Sequence, residues 1–415
     1  MKYAIIIPDG FADEPIDSLG GRTPMQAART PNFDALAPTG ALGRSHNVPP
    51  NLPPGSDVAT LALLGYNPES VYTGRAPLEA AALGVELGPF DWAFRCNLVT
   101  LEEGRMKSFT AGHISSEEAA ELLASAEEKI APLWNEISPD ARGTIQFLPG
   151  VSYRNLMIFR PESQDAGSLF SQKTFTRPPH DYTDQSIADA LPSGEGAALI
   201  RRLMEATEAL FAGHPVNRKR VERGLLPVTC AWLWGQGRKP RIEPFAERFG
   251  GIAGGMITAV DLLRGIAKYL GWERIDVPGI TGYVDTDYAA KGQYAADALD
   301  RFDLVCVHIE ATDESGHEGA TEKKIKALEE IDAKTLPPIL DKLRGGPEWR
   351  LLISPDHPTP IALKTHSLGA VPWLIAGSDI TGDGAATYDE VTAQKSPRYF
   401  ERGEALMPLF LRGEF

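Results

Sequence analysis

Four short apolar runs constrain the fold of this chain more than any other feature. They are "KYAIII" (2–7), "DLVCVHIE" (303–310), "RLLIS" (350–354) and "VPWLIAG" (371–377). None alternates apolar with polar residues, so each fits a strand covered on both faces. Longer stretches with helical periodicity lie between them, at 115–134, 197–213, 257–271 and 321–344. Strands alternating with helices predict an α/β fold with a mostly parallel sheet. From about 90 to 190 the pattern changes. "WAFRCNLVTLEEGRMKSFT" (92–110) reads as a hairpin turning at Glu103-Gly104. "GTIQFLPGVSYRNLMIF" (143–159) reads as a second hairpin, with a helix before it and the turn-rich "RPPHDYTD" (177–184) after it. This predicts a smaller α+β domain at 89–189, inserted into a discontinuous core of 1–88 and 190–415. A chain of 415 residues is long enough for about two such domains.

The formal net charge is −15 and no lysine/arginine-rich block occurs, which argues against a nucleic-acid partner. Cys96, Cys230 and Cys306 lie far apart without CxxC spacing. That excludes a disulfide framework and a thiolate zinc site, and fits a reduced compartment. The N-terminal apolar run is too short for a signal peptide, and no stretch approaches the ~20 apolar residues of a membrane span. The expected location is the cytoplasm, with no membrane partner. A homo-oligomer is compatible with the sequence.

Three of the four runs are followed closely by an aspartate: Asp9 in "IPDG", Asp313 in "EATDESGHEG" and Asp356 in "SPDHPTP". Ligands of open parallel sheets bind outside the carboxyl ends of the strands. Three carboxylates at that edge repel one another unless a cation neutralises them. His317, His357 and His366 follow at close spacing. Aspartate with neutral imidazole suits Zn²⁺ or Mn²⁺ better than Ca²⁺. Taken singly, Asp-Gly and Pro-Asp are turn formers, and a lone histidine is more often structural. The combination points to a metal site.

"PPGSDVATLALLGYNP" (53–68) reads first as helix punctuation, with Ser56 as N-cap and Asp57 in the first turn. A serine there also faces free amide hydrogens and the positive end of the helix dipole. If its oxygen binds a metal, its pKa falls and it becomes a nucleophile. Nucleotide loops are missing: no GxxxxGK[ST] occurs, no GxGxxG follows a strand, and "GGRT" (20–23) lacks the lysine. Arg75, Arg95, Arg154, Arg218, and Arg238 with Lys239 lie near turns and offer anion recognition. Each alone fits a solvated surface equally well.

Together these segments resemble a known family. "PDGFADEP", "GGRTPMQAARTPNFDALA", "PPGSDVATLALLGYNPESVYTGRAPLEA", "HPVNRKR", "WGQGRKP", "TGYVDTDY", "EATDESGHEG" and "SPDHPTPIALKTHS" look like the archaeal-type cofactor-independent phosphoglycerate mutases, of the alkaline phosphatase superfamily. The blocks run from the N-terminus to about residue 375. The resemblance implies an alkaline-phosphatase-like three-layer α/β core and two divalent metal ions (Mn, Zn, Co or Mg). One ion would be held by Asp9, Ser56, Asp356 and His357, the other by Asp313, His317 and His366. Ser56 would be the nucleophile. It would take the phosphoryl group of a small phosphorylated substrate, phosphoglycerate, as phosphoserine and return it to the other hydroxyl. The resemblance thus implies an isomerase of glycolysis and gluconeogenesis that needs no bisphosphoglycerate. Arg75, Arg95, Arg154, Arg238 and Lys239 would clamp the substrate, and the inserted domain would act as a lid that excludes water.

One departure concerns the substrate. In "FTAGHISSEEA", His113 stands where the better-established mutases have arginine, "AGRIS". A bacterial subgroup with "AGHIS" has been proposed as homoserine kinases, which keeps the metals and the serine and changes the acceptor. His113 is thus either a substrate-binding residue or a helix-entry residue. A metal-dependent phosphatase of the same superfamily is a further alternative, and it would need water access to the phosphoserine.

Overall fold

Eight strands form one sheet in the order Glu273–Arg274, Gly254–Ile257, Leu304–Ile309, Lys2–Pro8, Trp349–Ile353, Val371–Gly377, Ala41–Ser45, Tyr399–Phe400. All pairs are parallel except those of Val371–Gly377, which is antiparallel to both neighbours. The central strands are the apolar runs of the sequence: Ile5, Ile6, Val305, Val307, Leu351 and Leu352 are fully buried. Burial on both faces is why these runs do not alternate. The computed structural model describes residues 1–137, 139 and 142–414.

Two elements differ from the sequence-based expectation. The helix expected from Ile257 begins at Asp261, because Gly254–Ile257 forms a strand beside Leu304–Ile309. Glycines disguise that strand, and they are required there, since a Cβ on Gly254 would collide with the Trp272 ring. The helix expected over 321–344 is interrupted by one π turn, Ile331–Thr335, one residue before Pro337 and Pro338. Two prolines without N–H donors cannot continue the ordinary ladder, and a widened turn accommodates them.

The chain divides into two compact units: Met1–Tyr72 with Arg241–Phe415, and Thr73–Pro240. The first carries the eight-stranded sheet. The second is built on an antiparallel sheet whose long strand, Trp92–Glu102, pairs with Arg154–Pro161, Cys230–Arg238 and Arg105–Ser108; Gly143–Val151 pairs outside Arg154–Pro161. The hairpin turns at Glu103 (φ 49°) and Gly104 (φ 73°), the pair of left-handed residues that a two-residue turn needs. Helices Ser116–Lys129 and Ala197–Ala212 contribute Leu122 and Leu203 to a core with Phe94, Phe159 and Trp232. The second unit extends beyond 89–189 at both ends for reasons of pairing. Strand Cys230–Arg238 pairs along Trp92–Val99, and helix Arg75–Ala82 packs Ala76 and Ala80 with Ala93 and Ile158.

Candidate active site

Parallel register brings three carboxylates to one sheet edge. Strand Lys2–Pro8 lies between Leu304–Ile309 and Trp349–Ile353, and Asp9, Asp313 and Asp356 follow the carboxyl ends of these strands. The Asp9 N–H donates to Ile309 O at 3.0 Å, extending the ladder by one residue. Gly10 then turns the chain at φ 58° and donates its N–H to Asp356 Oδ1 at 3.2 Å. A Cβ at this position would collide with Thr359 Oγ1 and Asp313 Oδ1, so the turn that follows Asp9 admits only glycine.

Ser56 is the first residue of helix Ser56–Leu63, and Gly55, not Ser56, is its N-cap. The Ser56 hydroxyl therefore has tertiary partners: it donates to Asp9 Oδ2 at 3.0 Å and lies 3.3 Å from His357 Nε2. Asp9 is fully buried. Its Oδ1 has no hydrogen-bond partner among the described residues; His357 Nε2 is 3.4 Å away. Asp356 Oδ1 accepts from the Gly10 and His357 N–H groups, while its Oδ2, also buried, has no hydrogen-bond partner among the described residues. Burial, then the carboxylates of Asp356, Glu310 and Asp313, push the Asp9 carboxyl well above the usual range. Burial also lowers the pKa of the His357 imidazole.

Asp313, His317 and His366 form a second group. Asp313 Oδ2 is 3.2 Å from His317 Nε2, Asp313 Oδ1 is 3.5 Å from His366 Nε2, and the two Nε2 atoms are 2.9 Å apart. His317 Nδ1 faces Lys364 O and His366 Nδ1 faces Pro54 O, each at 3.1 Å. A carbonyl only accepts, so Nδ1 carries the proton in both rings. The Nε2 atoms turn toward Asp313, where either a proton or a metal cation answers the carboxylate. Burial opposes ionisation of Asp313, but hydrogen bonds from His317 and His366 outweigh it and hold its pKa well below the ordinary value. The same contact raises His317 to about 9. Thr359 Oγ1 donates to Asp313 Oδ1 and lies 3.2 Å from His357 Nδ1, joining the two groups. Ligand atoms of Asp9, Asp313 and His357 all lie within 4.8 Å of one another.

This arrangement fits divalent cations. Among the described residues, Asp9 Oδ1 and Asp356 Oδ2 of this group lack hydrogen-bond partners, and a buried acceptor left unpaired costs about 1–3 kcal/mol. A mixed set of carboxylate oxygen, hydroxyl oxygen and imidazole nitrogen is the donor chemistry of Zn²⁺ and Mn²⁺ sites.

Two residues at this edge escape sequence reasoning. His308, inside an apolar run, is fully buried and places Nε2 2.9 Å from Asp9 Oδ2. Burial lowers its pKa to about 3, so it is neutral. Glu310 closes the same run. Its Oε2 lies 3.7 Å from His308 Nε2 and has no hydrogen-bond partner among the described residues, and burial, then Asp313, raises its pKa to about 8. The available signal was that this run, unlike the other three, carries a histidine and ends in an acid.

In the second unit, three of the expected substrate-binding residues come together. Arg95 donates from Nε to Glu79 Oε2 at 3.0 Å and stacks over the Trp234 ring at 4.1 Å. Burial lowers its pKa, Glu79 opposes the shift, and the nearby charges of Arg75 and Arg154 add to it. Arg75 opens helix Arg75–Ala82, and Arg154 opens the strand whose first residue pairs with Asn97. Arg238 is held differently, donating to Pro89 O at 3.2 Å and packing on Phe90 and Trp92. Lys239 beyond it is exposed. His113, also exposed, ends three successive left-handed residues, Ala111 (φ 47°), Gly112 (φ 63°) and His113 (φ 54°). The "HPVNRKR" segment supports that turn. Arg220, buried at 1% exposure, donates to Ala111 O at 2.6 Å, and Asn217 bonds the backbone of Phe211 and Val228.

The chain is similar to known proteins along its whole length. The family model described as "2,3-bisphosphoglycerate-independent phosphoglycerate mutase" matches residues 37–217. A Methanothrix thermoacetophila protein of that name is 44% identical over 414 residues, covering 100% of both chains. A Methanothermobacter thermautotrophicus protein, the mutase numbered 2, is 46% identical over 396 residues, covering 95% of this chain and 93% of its own. Among solved structures, a Pyrococcus horikoshii protein superposes with TM-score 0.80 at 27% identity, covering 100% of this chain and 97% of its own. The cofactor-independent phosphoglycerate mutase of Thermoplasma acidophilum gives 0.65 at 25% identity, with 100% of both chains covered. With identity of this extent over the whole chain, the protein belongs to the 2,3-bisphosphoglycerate-independent phosphoglycerate mutase family and is an isomerase.

Proposed function

We propose that the protein interconverts 2- and 3-phosphoglycerate by passing the phosphoryl group through Ser56, without bisphosphoglycerate. The observation that carries this reading is the Ser56 hydroxyl, 3.0 Å from Asp9 Oδ2 and 3.3 Å from His357 Nε2, beside carboxylate oxygens that lack hydrogen-bond partners among the described residues. Ser56 Oγ attacks phosphorus, the ester P–O bond breaks, and the departing glycerate oxygen takes up a proton. Asp9 Oδ2 already accepts the Ser56 hydrogen. The reverse step transfers the group from phosphoserine to the neighbouring glycerate hydroxyl, so no donor cofactor is consumed. Asp9, Ser56, Asp356 and His357 would hold one divalent cation, and Asp313, His317 and His366 the other, with Mn²⁺ or Zn²⁺ best matched to the donors. Bound cations lower the pKa of the serine and offset charge on the transferring group.

The unit Thr73–Pro240 supplies anion recognition in this reading. Arg75, Arg95 and Arg154 hold substrate phosphate and carboxylate, and Arg238, Lys239 and His113 contribute to specificity. Among the described residues no helix is long and apolar enough to cross a membrane, and we assign the protein to the cytoplasm on the nature of its reaction.

An enolase-coupled assay tests the proposal. Metal-loaded protein is expected to convert 3-phosphoglycerate without added bisphosphoglycerate, and Ser56→Ala to lose at least about 10³-fold in kcat with its circular dichroism unchanged. ATP-dependent phosphorylation of homoserine with no mutase turnover would overturn it.

A further inference from the structure

His308 lies in strand Leu304–Ile309, in register beside Ile7 and fully buried. A buried imidazole needs a partner for each nitrogen. Nδ1 faces Thr258 Oγ1 at 3.3 Å and Nε2 faces Asp9 Oδ2 at 2.9 Å. Asp9 Oδ2, as the carboxylate of a cation site, only accepts, so Nδ1 is left to accept from the Thr258 hydroxyl, whose oxygen also takes the Val260 N–H at 3.1 Å. Nε2 then carries the imidazole hydrogen and donates it to Asp9. Lys291, itself fully buried, donates to the His308 main-chain oxygen at 3.1 Å and pins the strand at this residue.

The consequence falls on Asp9. His308 Nε2 and the Ser56 hydroxyl both donate to Oδ2, and among the described residues Oδ1 keeps no hydrogen-bond partner. We infer that His308 is a positioning residue that locks the Asp9 carboxylate in rotation and reserves Oδ1 for the cation of the Ser56 group. The inference rests on the reading of that group as a cation site. The Asp313 group has a different device: the carbonyls of Lys364 and Pro54 orient its two imidazoles. Loss of His308 therefore acts on one cation and spares the other. Outer donors of this kind typically change metal affinity by about 10–100-fold.

Calorimetric titration of chelated, full-length protein with Mn²⁺ tests this. The wild type is expected to bind two ions. His308→Phe should weaken one of them by about 10–100-fold and leave the other unchanged. His308→Gln, whose amide N–H can replace the donor, should recover part of the loss. Thr258→Val, which removes the partner of Nδ1, should weaken the same ion even if His308→Phe fails to fold. Two ions bound with wild-type affinity by the folded His308→Phe and Thr258→Val proteins would overturn the inference, as would equal weakening of both ions. Wild-type protein that binds no Mn²⁺, or an Asp9→Asn variant that binds both ions normally, would instead refute the cation site itself and the inference with it.

Discussion

Two clusters of buried charge share the loop from Asp356 to Ile361, and they are satisfied in opposite ways. In the first, Asp9, Asp356 and Glu310 each keep an oxygen without a hydrogen-bond partner among the described residues. In the second, Lys324 donates to Asp13 Oδ2 and to Thr359 O, both at 2.8 Å, and Ile361 N–H donates to the same carboxylate. Asp13 N–H and the Thr23 hydroxyl complete the two oxygens of Glu390, at 3.1 and 2.6 Å. Burial is equal, with the Asp9 and Lys324 side chains both at 0% exposure and Asp13 at 1%. The difference lies in partners. A closed network specifies structure, while a cluster with spare acceptors is held in place for something else. Thr359 connects the two, with its carbonyl on Lys324 and its hydroxyl between Asp313 and His357.

The largest expected effect separates the clusters by activity. Asp9→Asn removes a carboxylate that repels its neighbours, so mutase activity should fall by at least about 10³-fold while the chelated protein keeps its stability. Next comes the reverse case. Lys324→Met leaves the Asp13 carboxylate buried and unpaired, which should cost about 3–5 kcal/mol in denaturant unfolding. Turnover per folded molecule should fall far less than in Asp9→Asn. The smallest effect concerns Glu390. Burial raises its pKa to about 7 from an ordinary 4.5. Between these values the folded state holds more protons than the unfolded chain, so stability falls as pH rises through that window. Glu390→Gln should remove this slope, at most about 1.4 kcal/mol per pH unit. An unchanged slope would mean that Glu390 is already ionised in the closed network.

The sequence was informative where chemistry is local. Asp9, Asp313 and Asp356 follow strands that happen to be neighbours, His317 and His357 lie within four residues of them and His366 ten beyond Asp356, so spacing and the edge of a parallel sheet together pointed to the group. Ser56 was legible as a helix start, although Gly55 takes the cap and leaves the hydroxyl for Asp9. His308 was hidden because a histidine between Val307 and Ile309 reads as core, and only the register beside Lys2–Pro8 brings it to Asp9. The extent of the second unit was hidden for a related reason. Strand Cys230–Arg238 joins Trp92–Glu102 across more than a hundred residues, and no local pattern encodes that pairing.

Thermal unfolding with and without Mn²⁺, measured on wild type, Asp9→Asn and Lys324→Met, tests the distinction between the clusters most directly. A ligand at a hundredfold excess over its Kd stabilises the folded state by about 2.7 kcal/mol. The expected result is a Mn²⁺-dependent rise in Tm for wild type and Lys324→Met, with Lys324→Met lower throughout, and a reduced rise for Asp9→Asn from an undiminished chelated Tm. A full Mn²⁺-dependent rise in Asp9→Asn, or a chelated Tm lowered as far as that of Lys324→Met, would contradict the account.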